Sequence, residues 1–171
     1  MEIIKLEIKG LLKILPKKHV DNRGKFVRYF SKDLFKKINF NNVQSNLSYN
    51  KLSKTLRGFH MQKKPYEEDK IITCVNGKIF FVVVDLRKNS QSYLNNYSCI
   101  LDDKKNISIF VPKGIATAWI TLKNNTIINY LMSEYYKPEY AINFNYKDPK
   151  FNIKWPCMPK VISKKDKILR V

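Results

Sequence analysis

The feature that most constrains the fold is the stretch KIITCVNGKIFFVVVDLR at 70–87. Two runs rich in β-branched and aromatic residues are separated by Asn76-Gly77, a pair that tolerates the positive φ of a tight turn. The spacing predicts a hairpin. The unbroken IFFVVVD half carries no polar alternation, so it is expected to be buried on both faces or to join an interface. The plan recurs in NISIFVPKGIATAWITL at 106–122, with Pro112-Lys113-Gly114 as the turn, and TIINYLMSEYY at 126–136 is a further run of the same kind. DNRGKFVRYF at 21–30 enters a strand from a turn. Only SKDLFKKINF at 31–40 reads as helix, with Ser31 as N-cap and Leu34, Phe35 and Ile38 at helical spacing. Many short strands punctuated by turns make the chain all-β, a sandwich or barrel with one short helix. NYKDPKFNIKWPCMPKVISKKDK at 145–167 holds three prolines and few strand signals. It is expected as an extended C-terminal tail packed over the barrel and anchored by Trp155. With no repeat, linker or low-complexity stretch, residues 1–171 are expected to form a single domain large enough for a real core.

The net charge of +19 raises the question of nucleic acid. Arginine, the better tool for bidentate phosphate and base contacts, occurs only at 23, 28, 57, 87 and 170. The remaining basic residues are lysines scattered along the chain, and abundant Lys, Asn and Ile are what AT-rich codons produce. A solvated basic surface is the expectation, with no nucleic-acid partner; a phosphorylated ligand fits the same field. No apolar run approaches the ~18 residues of a membrane helix, so no membrane partner is expected. The apolar N-terminal MEIIKLEIKGLLKILP is interrupted by charges and lacks a signal-peptide core, which makes a cytoplasmic location the expectation. Cys74, Cys99 and Cys157 form no CxxC and are expected as free thiols.

The candidate chemistry centres on TLRGFHMQ at 55–62. A lone histidine is more often structural than reactive. His60, however, follows a fixed cation, Arg57, and a residue that permits close approach, Gly58. Lys70 opens the next apolar run, where a return strand could bring it beside His60. Such a pair suits proton abstraction next to a carbonyl: a neutral imidazole takes the proton and an ammonium stabilises the oxyanion. Tyr130 lies mid-strand, where its phenol is either core or aimed at a ligand. Tyr135 and Tyr136 precede Pro138 at a strand end, where one could line a rim. A metal site is not expected, because His19 and His60 are far apart and neither HxH nor HxxxH occurs. There is no GxGxxG or P-loop to suggest a dinucleotide or ATP.

These pieces, taken in order over residues 15–166, resemble the dTDP-4-dehydrorhamnose 3,5-epimerase family. DNRGKF at 21–26 resembles its D-x-R-G-x-F, and VQSNLSYNKLSKTLRGFHMQ at 43–62 its Q-x-N-x-S segment leading to L-R-G-L-H-x-Q. VNGKIFFVVVDLRKNSQSY at 75–93 resembles the stretch that ends V-D-x-R-x-x-S-x-T, and VPKGIATAW at 111–119 resembles P-x-G-x-A-H-G-F. NYLMSEYYKPE, KDPKFNIKWP and SKKD are similar to the family's later segments, and Lys70 falls where the family has a lysine.

The resemblance implies a cupin-type jelly roll, a homodimer with exchanged strands, and neither metal nor organic cofactor. It implies an isomerase that inverts C3, C5 or both of a nucleotide-linked 4-keto-6-deoxyhexose, with dTDP as the expected carrier. His60 would be the base, Asp166 its carboxylate partner, Lys70 the enolate's cation and Tyr130 the acid on the opposite face. Tyr136 would border the sugar, Arg23 and Arg57 would bind diphosphate, and Gln44 and Asn46 would lie near the sugar nucleotide. Three positions depart from the pattern. Thr117 stands where the family has histidine in the active-site region, Arg28 where it usually has glutamate, and Glu68 where it has glutamine. They leave open a single-carbon epimerase, another carrier or sugar, a sugar-nucleotide-binding cupin without activity, and a keto-sugar isomerase.

Overall fold

A computed structural model describes residues 1–167. In chain order the strands are β1 (Glu2–Lys5), β2 (Leu12–Leu15), β3 (Lys18–Asp21), β4 (Gly24–Val27), β5 (Gln44–Asn50), β6 (Thr55–Gln62) and β7 (Lys70–Asn76). They continue with β8 (Lys78–Asp85), β9 (Asn96–Asp102), β10 (Ser108–Val111), β11 (Ile115–Thr121), β12 (Thr126–Met132), β13 (Ala141–Asn143) and β14 (Val161–Ile162). One six-stranded sheet runs β1-β2-β10-β7-β12-β5, and the other runs β13-β6-β11-β8-β9 with β14 beside β6. Strands β3 and β4 form a separate ribbon. This is the cupin-type jelly roll: an all-β sandwich most of whose neighbouring strands are not consecutive in sequence.

Three apolar clusters hold the layers together. Between the sheets lie Ile72 and Cys74 of β7, Ile79, Phe81 and Val83 of β8, Ile109 and Val111 of β10, Trp119 of β11 and Ile128 of β12. On the outer face of the first sheet, Ile71, Phe110 and Leu131 pack under Leu34 and Phe40. On the outer face of the second, Phe59, Val82 and Val84 meet Phe151, with Trp155 against them. Strand β8 therefore sends alternate side chains into two cores, which is why IFFVVVD shows no polar alternation.

The hairpin expected at Asn76-Gly77 does not form. Strand β7 pairs with β10 and β12, whereas β8 pairs with β9 and β11. The turn is a corner that carries the chain from one sheet to the other. Gly77 has φ +85°, and a Cβ there would come within 2.4 Å of Thr126 Oγ1, so the glycine is needed for the corner rather than for a hairpin. Pro112-Lys113-Gly114 makes a second such corner between β10 and β11. Turn chemistry sets the sign of φ; it does not choose the partner strand.

The expected helix is α1 (Lys32–Lys37), whose N-cap Ser31 accepts from the Leu34 N–H at 3.3 Å. At six residues it is too short to stand alone, and packing of Leu34 on the sheet supports it. The tail is anchored as expected: Trp155 lies 6.0 Å from Phe59 and 5.9 Å from Phe80 by ring centroids, and its indole N–H donates to Tyr146 O at 2.9 Å. It is less extended than expected. It ends in β14, which pairs parallel with the start of β6, and in a second short helix, α2 (Lys164–Lys167). Among the described residues no helix is long and apolar enough to cross a membrane, and the three cysteines are free.

Candidate active site

A bulge places the site's first two residues. Arg57 and His60 are three apart on β6, a spacing that would put them on opposite faces of a regular strand. Opposite them on β11, Thr117 pairs with His60 and Trp119 pairs with Arg57, with a register shift between. Thr117 and Trp119 are two apart and share the inner face, so the extra residue on β6 brings Arg57 and His60 onto that face too. Gly58 permits this. Its φ is +122°, and a Cβ would lie 2.4 Å from Ala118 Cβ and 2.6 Å from Thr117 O.

The first sheet supplies the facing wall in regular rungs. Met132 of β12 pairs with Gln44 and Lys70, and Tyr130 pairs with Asn46 and Ile72. These inner-face residues and those of β6 and β11 line one cavity of about 330 Å³, which holds Gln44, Asn46, Arg57, His60, Lys70, Thr117, Tyr130 and Tyr136. Eight of the ten expected site residues thus meet in one place. Asp166 stands directly behind His60. Arg23 is not among them: it sits at the tip of the β3–β4 ribbon, 85% exposed, with its Nε donating to Asp21 at 3.2 Å.

His60 is held by one short side-chain contact. Its Nε2 lies 2.7 Å from Asp166 Oδ1, with the imidazole 29% exposed and the carboxylate 2% exposed. An anionic carboxylate accepts, so Nε2 carries the proton and Nδ1 keeps the lone pair. The tail makes this contact. Pairing of β14 with β6 brings the chain alongside, and the Asp166 N–H is then held by Ser163 Oγ at 3.3 Å and Ser163 O at 3.2 Å. Burial alone would push the Asp166 carboxyl up. The His60 contact, with Ser163 and Lys165, outweighs it and holds the group below its usual value.

Lys70 reaches the same region from β7. Its ammonium lies 2.7 Å from Glu68 Oε1, 3.3 Å from His60 O and 3.5 Å from Thr117 Oγ1. Tyr130 approaches from β12 with its ring 6.2 Å from that of Trp119. Burial raises its pKa, a tendency that the Arg57 charge partly offsets and Tyr136 reinforces, so the phenol is neutral and protonated at rest. Arg57 is oriented by a hydrogen bond from Nε to Asn50 Oδ1 at 2.9 Å. Gln44 and Asn46 bond to each other at 2.9 Å, and Gln44 Oε1 also accepts the Tyr136 N–H at 3.1 Å.

Gln62, Trp119 and Lys165 also line the cavity and were not expected there. Gln62 lies two residues past His60 and Trp119 two past Thr117, so strand periodicity alone could have signalled both. Nothing in the sequence signals Lys165, whose place depends on how the tail folds back. Among the described residues, no three His, Cys, Asp or Glu side chains group in a way that could hold a metal ion.

Fold and site together define a cupin-type isomerase: two sheets facing across a cavity lined by a histidine, a lysine and a tyrosine. The family model described as dTDP-4-dehydrorhamnose 3,5-epimerase matches residues 5–171, and the chain belongs to that family. It is 35% identical to the dTDP-4-dehydrorhamnose 3,5-epimerase of Methanothermobacter thermautotrophicus, over 96% of this chain and 90% of that protein. It superposes with a TM-score of 0.95 on the Bacillus anthracis enzyme of that name, solved with TDP and PPi bound, at 31% identity over 99% and 98% of the two chains. A 3'-monoepimerase from Streptomyces bikiniensis, in complex with dTDP-quinovose, gives 0.87 at 28% identity over 94% and 83%.

Proposed function

We infer that the protein inverts C3, C5 or both of a nucleotide-linked 4-keto-6-deoxyhexose, with dTDP as carrier, in deoxysugar biosynthesis. The observation that carries this reading is that His60 and Tyr130 enter one cavity from different sheets. Inversion needs a base on one face of a carbon and an acid on the other. The C4 ketone acidifies the hydrogens at C3 and C5. His60 Nδ1 takes one of them, and Asp166 stabilises the imidazolium that forms. The electron pair left on carbon moves to the C4 oxygen, where the Lys70 ammonium meets the developing charge. Tyr130 then gives its proton to the carbon from the opposite face. Exchange with solvent returns the proton of His60 and restores that of Tyr130. The four residues balance every proton, so the step calls for no cofactor.

Arg57, Gln44, Asn46, Thr117 and Tyr136 serve as substrate contacts in this reading, with Arg57 on the diphosphate. Arg23 joins them if the β3–β4 ribbon reaches a second copy, as in a homodimer with exchanged strands. Exposure of Val20 and Phe26 on that ribbon, at 76% and 61%, supports such a role. The chain acts as one domain in the cytoplasm, without nucleic-acid or membrane partners. The testing experiment supplies dTDP-4-keto-6-deoxyglucose in D₂O and reads deuterium by carbon position. Incorporation at C3 or C5 with epimer formed supports the reading. A 3-keto product would make the protein a keto-sugar isomerase, and binding without exchange would make it a catalytically silent cupin.

A further inference from the structure

The Lys70 ammonium has three protons to donate, and three acceptors surround it: Glu68 Oε1 at 2.7 Å, His60 O at 3.3 Å and Thr117 Oγ1 at 3.5 Å. The shortest contact is a buried ion pair, with the lysine side chain 9% and the glutamate side chain 3% exposed. The second Glu68 oxygen, Oε2, accepts the Gln62 N–H at 3.1 Å. Gln62 is 2% exposed. Its amide donates to Tyr66 O at 2.8 Å and Tyr135 O at 3.2 Å, and its Oε1 accepts the Lys137 N–H at 2.6 Å. Glu68 is therefore fixed to the end of β6 through one oxygen and fixes Lys70 through the other.

A buried carboxylate next to an ammonium that must meet an oxyanion looks self-defeating, because it cancels part of the field. The geometry gives it a purpose. Lysine is a point charge on a flexible four-carbon stem, and it stabilises an oxyanion only from the right place. We propose that Glu68 is a positioning residue for this reaction: it pins Lys70 at the cavity wall so that the donor now spent on the long Thr117 contact is the one given to the C4 oxygen. The proposal rests on the epimerase reading and adds to it a residue outside the acid–base set. In this chain one carboxylate oxygen serves each contact, whereas the glutamine that the family has at this position offers a single oxygen to both.

The test compares wild-type protein with Glu68→Ala and Glu68→Gln, measuring kcat and KM for deuterium incorporation into the keto sugar nucleotide and calorimetric binding of dTDP. Glu68→Ala is expected to lower kcat on the order of 100-fold, as misplacement of a stabilising group by about 1 Å does. KM and dTDP affinity should stay within about threefold, because the nucleotide does not depend on Lys70. Glu68→Gln keeps one acceptor and is expected to fall between, about tenfold below wild type. A merely structural ion pair would lower thermal stability and leave kcat of the folded enzyme unchanged. That result in Glu68→Ala overturns the proposal, as does a loss seen wholly in KM. If Glu68→Ala fails to bind dTDP because it does not fold, near-isosteric Glu68→Gln decides, and wild-type kcat there overturns it. Wild-type protein that shows no exchange removes the epimerase reading itself and the proposal with it.

Discussion

Two of the buried carboxylates that hold a basic partner, Asp85 and Asp166, differ in their surroundings. Asp85, fully buried at the end of β8, is saturated. Arg87 Nε donates to Oδ1 and its terminal nitrogen to Oδ2, both at 2.8 Å, while Ser90 and Ser92 hydroxyls reach Oδ2 at 2.7 and 2.6 Å. Asp166 has one strong partner, His60, and that partner opens onto the cavity. Every donor to the Asp85 carboxylate lies within seven residues of it in the chain. His60 and Asp166 are 106 residues apart and meet only because the tail folds along β6. Saturation by local neighbours marks a carboxylate that holds a turn together. A single distant partner with a face left open is the arrangement that the proposed function uses for chemistry.

The contrast can be broken by mutating each side. The largest expected effect is on activity: Asp166→Asn removes the anion that fixes the His60 tautomer, and deuterium incorporation should fall by about 100-fold or more. Its unfolding free energy should change by only about 1 kcal/mol, because the partner is partly solvated. Asp85→Asn should do the reverse. It leaves the Arg87 charge without its counterion and loosens the serine network, for a loss of about 3 kcal/mol or more in urea unfolding. Activity per folded molecule should stay near wild type.

A smaller effect separates the two by pH. Burial opposes ionisation at both sites, but hydrogen bonds hold both carboxyls below their ordinary value, Asp85 much further than Asp166. A depressed folded-state pKa contributes stability that is complete above the unfolded value of about 4 and is lost as the pH falls through the folded one. Acid unfolding of wild type should therefore steepen below about pH 4, and Asp85→Asn should flatten that slope more than Asp166→Asn. The finest test lies across the cavity. Tyr130→Phe removes the acid but leaves the base, so washout of the first proton should persist while inversion drops by about 10- to 1000-fold.

The same contrast explains what could be read from the sequence. Periodicity revealed the all-β class, the helix under Ser31 and the buried β8, because each is a local pattern. The Trp155 anchor followed from a tail rich in proline. The hairpin at Asn76-Gly77 failed because the local signal reports backbone conformation, and pairing is decided by which faces must be buried. At the site, Arg57, Gly58 and His60 drew attention by their chemistry, yet their common face depends on a bulge against Thr117 and Trp119. Strand period alone would have separated Arg57 from His60. Asp166 was reached through the family pattern, and so was the pairing of Tyr130, itself visible as a mid-strand phenol, with His60, since nothing local ties either to His60. Glu68 was visible as a departure, but its two oxygens acquire a purpose only once Gln62 and Lys70 stand on either side.

The most direct test of the site is deuterium exchange from D₂O into dTDP-4-keto-6-deoxyglucose by wild-type and His60→Ala protein, resolved by carbon. Wild type should incorporate deuterium at C3, C5 or both with formation of the epimer, and His60→Ala should incorporate none above the uncatalysed rate. Exchange at the wild-type rate in His60→Ala would contradict the assignment of His60 as the base.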